Sequence, residues 1–319
     1  MRNLVALLAD LAAVVILMLP GSPAQAKTYK SYISATGTAN ESCTLATPCL
    51  TFQSAHDATA PEGQISCLDG GAAFAGSPSL TITKSITIDC GGAPHAYFPL
   101  SIVINAPGIV VKIRNLTING TGSFSPGIDF QNGAELVLEN CLIHLYSGIG
   151  IRFQPSTPDS QLSIINSIIE NNGTAPSGGG GLQVNPSPGG NARVVLDNVK
   201  LRYNVTATLL SSANGTIEMA MKNSTIQSSL SNGILSQAGT TINFVVDRSL
   251  LTNNVGNALQ SSGANSNIAI SDSTISGNDV GVSAVSGGVV QSYKNNQIKG
   301  NGTDGTPLNA VPGYSGTGQ

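Results

Sequence analysis

Three side chains that could do chemistry together occupy one position of a repeating sequence: His144, Glu170 and Arg202. Side by side, an imidazole and a carboxylate could transfer protons, and an arginine next to them could bind an anionic sugar. The simpler interpretation is a row of solvated polar residues on an outer face. We take these three residues as the candidate catalytic set and assign no cofactor and no metal to them.

The repeat that places these residues has a period of about 25 residues and is marked by an asparagine or a similar residue. Three residues after each marker stands an isoleucine or leucine. Apolar or aromatic residues also stand two residues before it. Such a period, kept over eight repeats, predicts a stack of similar coils. With the marker as position 0, the markers are Asn115, Asn140, Asn166, Asn198, Asn223, Arg248, Asp272 and Asn295.

The spacing around the marker predicts a corner in the chain. Positions −4 and −2 share one face of a strand, but position +3 would point to the other face if the strand ran straight. Because position +3 is always apolar, the chain must turn near position 0 to return it to the core. Asparagine tolerates the left-handed backbone of such a corner. Amides on stacked coils, about 4.8 Å apart, could then hydrogen-bond in a ladder.

A second asparagine column at position +6, followed by glycine, completes a pattern of the type I-x-x-N-x-x-I-x-x-N-x-x-G. Over about residues 50–302 this pattern resembles the right-handed parallel β-helix family of pectate-lyase-like proteins, of the secreted bacterial type. The resemblance implies an all-β, single-stranded right-handed parallel β-helix solenoid with a short N-terminal capping helix. The alternative is a leucine-rich repeat, which carries an asparagine column at a similar period, but the core here is rich in isoleucine and valine.

The capping helix is expected in "TFQSAHDATA" at 51–60. This stretch places Phe52, Ala55 and Ala58 on one side of a helix, with Thr51 as its N-cap.

The motifs of the family's enzymes do not stand out in this sequence. Pectin hydrolases of this fold carry "NTD", "DD" and "GHG" motifs, none of which occurs here, and no acid pair stacks clearly beside an arginine as in the calcium-dependent lyases. The long insertion "TAPSGGGGLQVNPSPGG" at 174–190 could wall a groove beside the candidate row.

The sequence divides into three segments. Residues 1–26 have the pattern of a signal peptide, with Arg2, an apolar run and Ala24-Gln25-Ala26 before the cleavage point. A membrane anchor is the alternative, but the apolar run is short and Asp10 interrupts it. Residues 27–302 form the β-helix domain, with a cap at about 43–62 and coils at about 63–302. Residues 303–319 form a C-terminal tail without periodicity.

The cysteines suit an oxidising compartment. Four of them, Cys43, Cys49, Cys67 and Cys90, allow three pairings, of which we prefer Cys43–Cys49 with Cys67–Cys90 because of the close spacing of the first pair. Metal binding is the less favoured alternative, because no C-x-x-C pair occurs. Cys141 stands in a column of mostly small residues at position +1, which predicts a buried, unpaired thiol.

The low net charge, −3, gives no electrostatic reason to expect nucleic acid or an anionic membrane as a partner. We expect a secreted or periplasmic protein with no integral membrane segment after signal cleavage. The favoured function is a non-catalytic carbohydrate-binding or surface-structural module, with a polysaccharide or other glycan as partner. The alternative is a polysaccharide lyase or hydrolase with an atypical active site at His144, Glu170 and Arg202.

Overall fold

The computed structural model describes residues 27–70, 79–91, 97–122, 126–175 and 178–312. In this part of the chain, successive coils contribute their strands to three sheets whose order follows the sequence, and every strand pair is parallel. The predicted all-β parallel solenoid is therefore confirmed, and a leucine-rich repeat is excluded. The proposed signal peptide, 1–26, and residues 313–319 of the tail lie outside the described residues.

Each full coil runs from sheet 1 through sheet 2 to sheet 3. Of the described strands, sheet 1 contains Thr28–Thr38, Thr59–Cys67, Ile86–Asp89, Val110–Arg114, Glu135–Glu139, Ser160–Ile165, Ala192–Asp197, Ile217–Lys222, Ile242–Asp247, Ser266–Ser271, Val289–Ser292 and Asn309–Ala310. Sheet 2 contains Tyr97–Pro99, Thr117–Asn119, Leu142–His144, Ile168–Glu170, Lys200–Arg202, Thr225–Gln227, Leu250–Thr252, Thr274–Ser276 and Gln297–Ile298. Sheet 3 contains Ser79–Ile82, Ser101–Asn105, Ile128–Asn132, Ile149–Phe153, Gly180–Val184, Thr206–Ser211, Ile234–Gln237, Asn257–Ser262, Val280–Val285 and Thr303–Gly305.

The core is a set of continuous apolar columns, because the side-chain alternation keeps the same register from coil to coil. Leu138, for example, lies between Ile113 and Ile164, and all three side chains are fully buried. Position +3 is buried behind the corner, as predicted. Its buried members are Ile118, Ile143, Ile169, Leu201, Ile226, Leu251 and Ile275.

The corner between sheets 1 and 2 lies at the marker, as predicted. The backbone is left-handed from Asn115, with φ of 55°, through Asp272, with φ of 46°. In the last repeat Lys294, not Asn295, has the positive φ. Side-chain amides join neighbouring coils along part of this corner: Asn140 donates to Asn115 over 2.7 Å and Asn198 donates to Asn166 over 2.8 Å.

At the corner between sheets 2 and 3, the residue with the left-handed backbone and the buried asparagine are two different residues. The left-handed residue stands at position +5, as in Asn171 and Tyr203, whereas the asparagine at +6 is buried. Asn172 donates from its side chain to Asn204 over 3.0 Å, and Asn204 donates to the carbonyl of Ile169 over 2.9 Å. The +6 asparagines therefore satisfy backbone groups inside the stack.

The N-terminal end is closed by the predicted helix, Phe52–Ala58, whose Thr51 side chain accepts a hydrogen bond from the backbone N–H of Ser54 over 3.1 Å. Before it comes a strand that the sequence analysis did not identify, Thr28–Thr38, which pairs with Thr59–Cys67. The disulfides join Cys43 to Cys49 and Cys67 to Cys90, as preferred. The described helix is too short to cross a membrane.

At the other end the stack extends past residue 302, which the sequence suggested as its limit. Thr303–Gly305 pairs with the sheet 3 strand Val280–Val285, and Asn309–Ala310 pairs with the sheet 1 strand Val289–Ser292.

Cys141 is a buried free thiol, with 3% of its surface exposed. Burial raises the pKa of this thiol to about 11. We expect the native protein at pH 8 to resist alkylation, because about one thiol in a thousand is then the reactive thiolate. Mass spectrometry after iodoacetamide treatment checks this, with the urea-unfolded protein as the labelled control. Rapid labelling of Cys141 in the native protein would contradict its burial.

Candidate functional site

The predicted row lies on the outer face of sheet 2. His144 is the register partner of Glu170, and Glu170 is the register partner of Arg202. The three side chains therefore stand side by side, about 4.8 Å apart from coil to coil. The short sheet 2 strands place them immediately before the left-handed corner residues Leu145, Asn171 and Tyr203.

The carboxylate of this row is held by its neighbour. The Nε of Arg202 donates a hydrogen bond to Glu170, whose side chain is 15% exposed, whereas that of Arg202 is 39% exposed. On the other side, His144 Nε2 lies 3.0 Å from the side-chain nitrogen of Asn119. An amide NH₂ only donates, so Nε2 accepts and the ring proton sits on Nδ1. Burial lowers the pKa of His144 against the opposing effect of Glu170, which favours the neutral imidazole.

The insertion at 174–190 is not a single loop, which corrects the sequence interpretation. The segment contains the sheet 3 strand Gly180–Val184. It therefore divides into a connection at 171–179, which crosses the corner after Glu170, and a turn at 185–191, which returns the chain to sheet 1. The first connection contains more residues than those at 145–148 and 203–205. The sequence predicts a loop there because a run of glycines, which is typical of loops, stands directly before the short apolar strand.

A second charged cluster, which the sequence analysis missed, lies on the outer face of sheet 3. Asp129 and Arg152 are register partners. Arg152 donates to both carboxylate oxygens of Asp129, from Nε over 2.9 Å and from Nη2 over 2.7 Å. Gln131 and Gln154 add bonds of 2.7 and 3.3 Å to the same carboxylate. The Asp129 side chain is only 5% exposed, and that of Arg152 is 32% exposed.

The signal for this cluster was present in the sequence. "GIDFQ" at 127–131 and "GIRFQ" at 150–154 are the same pentapeptide with the charge reversed at its centre. In a parallel stack, two such copies place the opposite charges next to each other. The copies are 23 residues apart, whereas the markers of these coils are 25 apart, so alignment on the markers does not bring them together.

Comparison with known proteins now defines the family. A sequence profile described as "Right handed beta helix region" matches residues 100–268, more than half of the chain. The chain belongs to the right-handed β-helix family. Its structure is similar to the crystal structure of pectate lyase Pel9A, with a TM-score of 0.56 and 14% sequence identity over 91% of this chain and 81% of that one. At that identity the likeness shows the fold alone. No curated protein sequence matches the chain.

In this β-helix protein both clusters have their carboxylate engaged and their guanidinium partly exposed. The hydrogen bonds that Arg152 donates to Asp129 raise the pKa of the guanidinium from its usual value, so this side chain is a permanent cation. Among the described residues, no group of three or more His, Cys, Asp or Glu side chains is placed to hold a metal ion. The arrangement presents fixed cations on a rigid face, which is suited to binding anionic groups.

Proposed function

We propose that this β-helix protein binds acidic polysaccharide on its outer faces and does not cleave it. The observation that carries the proposal is the set of four hydrogen bonds that hold Asp129 beneath Arg152. A carboxylate with its oxygens engaged in this way is poorly placed to act as an acid, a base or a metal ligand. It orients the arginine, whose remaining N–H groups are available to a uronate carboxylate.

The polymeric nature of the ligand is supported by the geometry of the stack. Register places Gln183 next to Arg152 on sheet 3, and Arg202 lies on the outer face of sheet 2. On sheet 3, Asp129, Arg152 and Gln183 therefore place hydrogen-bonding groups on three successive coils, about 4.8 Å apart along the axis. The fold likeness to a pectate lyase is consistent with an acidic polysaccharide as the ligand class.

We also propose that the protein is exported and functions in the periplasm or outside the cell. The disulfides Cys43–Cys49 and Cys67–Cys90 support this, because such bonds persist in oxidising compartments. The signal-peptide pattern of residues 1–26 supports it independently.

Arg152→Lys and Arg202→Ala are each expected to weaken binding to polygalacturonate or alginate about tenfold, because each removes charge-assisted hydrogen bonds. Lysine at 152 keeps a cation beside Asp129, which protects folding, but it lacks the planar fork of arginine. Titration calorimetry measures the affinity. Arg193→Ala, an exposed arginine of sheet 1, is the matched control and should leave it unchanged.

Salt provides a second readout for the same binding. Raising NaCl from about 0.05 to about 0.5 M should weaken the wild-type affinity strongly, because exposed cations are screened. Equal losses in Arg193→Ala and Arg152→Lys would mean that general charge, not these sites, binds the polymer. Absence of any binding to acidic polymers would refute the proposed function.

Purified mature protein is expected to show no cleavage of polygalacturonate, pectin or alginate, with or without calcium. The acid of each cluster is paired with an arginine, and neither cluster has the two free carboxylates that sugar hydrolysis needs. Absorbance of unsaturated products and reducing-end assays measure cleavage. Turnover that is lost in Glu170→Gln or His144→Ala would establish the alternative, an atypical enzyme centred on the sheet 2 row.

A further inference from the structure

A groove that the proposed function does not use runs along the corner between sheets 1 and 2 in the N-terminal half of the stack. One part, of about 390 Å³, follows the marker residues Asn115, Asn140 and Asn166. A second part, of about 430 Å³, lies over the first sheet 1 strands and is lined by Tyr32. Gly91 and Asn115 line both parts, so the two form one continuous groove.

The asparagine ladder in this groove is interrupted at one step. Asn115 donates to Asp89 over 2.9 Å, Asn140 donates to Asn115 over 2.7 Å, and Asn198 donates to Asn166 over 2.8 Å. No hydrogen bond within the described part of the chain joins the side chains of Asn140 and Asn166. The interruption leaves a carbonyl acceptor on Asn140 and an NH₂ donor on Asn166 on neighbouring coils, and both residues are exposed.

Apolar side chains lie next to this interruption. Leu142 and Ile168 are register partners on the outer face of sheet 2, are half-buried, and line the same part of the groove. At the other end, the half-buried ring of Tyr32 offers an aromatic surface, with the ammonium of Lys30 5.4 Å from its centre. A sugar ring has an apolar C–H face and hydroxyls at its edge. It therefore requires an apolar surface with a hydrogen-bond donor and an acceptor beside it, as in this groove.

The length and charge of the groove narrow the ligand further. Five strand spacings separate the Tyr32 strand from the strand that precedes Asn166, which corresponds to about 24 Å. This length accommodates several sugar units. Among the described residues that line it, Lys30 and Asp89 carry opposite charges, and none is an arginine that could hold a uronate carboxylate with two hydrogen bonds.

We infer that this groove is a second glycan site, which binds a neutral, hydroxyl-rich oligosaccharide independently of the acidic polymer. One hydroxyl donates to the carbonyl of Asn140, and the same or a neighbouring hydroxyl accepts from the NH₂ of Asn166. The sugar rings pack on Leu142 and Ile168 and, farther along, on Tyr32. The site lies at the corner opposite to the 171–179 connection and shares no residue with the arginine clusters.

The test is titration calorimetry of the mature protein with cellohexaose, xylohexaose, mannohexaose and laminarihexaose. We expect one of them to bind, with an affinity that changes little between about 0.02 and about 0.5 M NaCl, because no net charge is involved. Asn166→Gly keeps the left-handed backbone and removes the amide donor. This substitution and Tyr32→Ala should each weaken binding about tenfold.

Asn223→Gly is the matched control, because it stands at the same corner position outside the groove and donates to Asp197 instead. It should leave the affinity unchanged. The inference is overturned if none of the four sugars binds, or if binding survives both Asn166→Gly and Tyr32→Ala. It is also overturned if binding is lost in Arg152→Lys or at high salt, which would assign the sugar to the arginine face. Failure of acidic polymers to bind would refute the proposed function and leave this inference standing.

Discussion

Ile226→Asp is expected to remove most of the stability of the stack. Ile226 is fully buried and lies between Leu201 and Leu251 in the position +3 column. The substitution forfeits roughly 1.5–3 kcal/mol of apolar burial. It also places a carboxylate in the core at a further cost of several kcal/mol. Because domains are stable by about 5–15 kcal/mol, we expect a large fall in the melting temperature and in the urea midpoint.

Gln227→Asp is the matched control for this substitution. Gln227 is the next residue on the same strand but belongs to the outer face, where Arg202 is its register partner. The same negative charge should therefore change the stability by less than about 0.5 kcal/mol. Circular dichroism during heating measures both variants. If Ile226→Asp melts within a degree or two of the wild type, the assignment of position +3 to the core is wrong.

Asn204→Ala is expected to have the second largest effect. The side chain of Asn204 is fully buried, accepts bonds of 3.1 and 3.0 Å from the backbone and side chain of Asn172, and donates to the carbonyl of Ile169. Alanine leaves those groups unpaired inside the stack. Each buried polar group without a hydrogen bond costs about 1–3 kcal/mol, so we expect the unfolding free energy from chemical denaturation to fall by more than about 3 kcal/mol.

Asn198→Gly distinguishes a buried ladder from an exposed one. Asn198 has a φ of 54° and makes an exposed side-chain bond to Asn166, and glycine adopts that backbone without strain. The expected change in unfolding free energy is below about 0.5 kcal/mol. Equal losses in Asn198→Gly and Asn204→Ala would contradict a special role for the buried column.

Ser229 interrupts the buried column and provides the reverse experiment. Its backbone N–H donates to Asn254 over 3.0 Å, but its hydroxyl is buried without a hydrogen-bond partner among the described residues. On the coil before Ser229, Ala207 occupies the same register position that Ala258 occupies on the coil before the buried Asn278. An alanine at that position is therefore compatible with an asparagine in the buried column. Ser229→Asn should therefore fit and raise the unfolding free energy by about 0.5–1.5 kcal/mol.

Much of the fold was predictable because it depends on local periodicity. Side-chain alternation in a strand is fixed by backbone geometry, so the columns at −4, −2 and +3 could be assigned to the core by counting. The left-handed preference of asparagine located the corner at position 0. The same counting placed His144, Glu170 and Arg202 next to each other, because the sheet 2 strands follow the marker at a constant distance.

Counting from the marker could not predict which residues are neighbours on sheet 3, because sheet 3 follows the corner between sheets 2 and 3. The connections from sheet 2 to sheet 3 run over 145–148, 171–179 and 203–205, so their lengths differ from coil to coil. A residue on sheet 3 therefore has no fixed distance from the marker, and only the hydrogen-bonded register brings Asp129 beneath Arg152. The strand Gly180–Val184 also lacks a fixed distance from the marker, and its glycine-rich flanks give it the composition of a loop.

The sequence by itself determined the repeat, the inward columns, the first corner and the capping helix, because each depends on the spacing of residues close together in the chain. The tertiary structure alone decided which side chains form hydrogen bonds between coils. Examples are the bonds that Asp129 accepts, the buried bond from Asn172 to Asn204, and the absence of a bond between the side chains of Asn140 and Asn166. Hydrogen bonds depend on tenths of an ångström and on direction. A repeat pattern defines neighbours to within one strand spacing, about 4.8 Å, and does not fix such contacts.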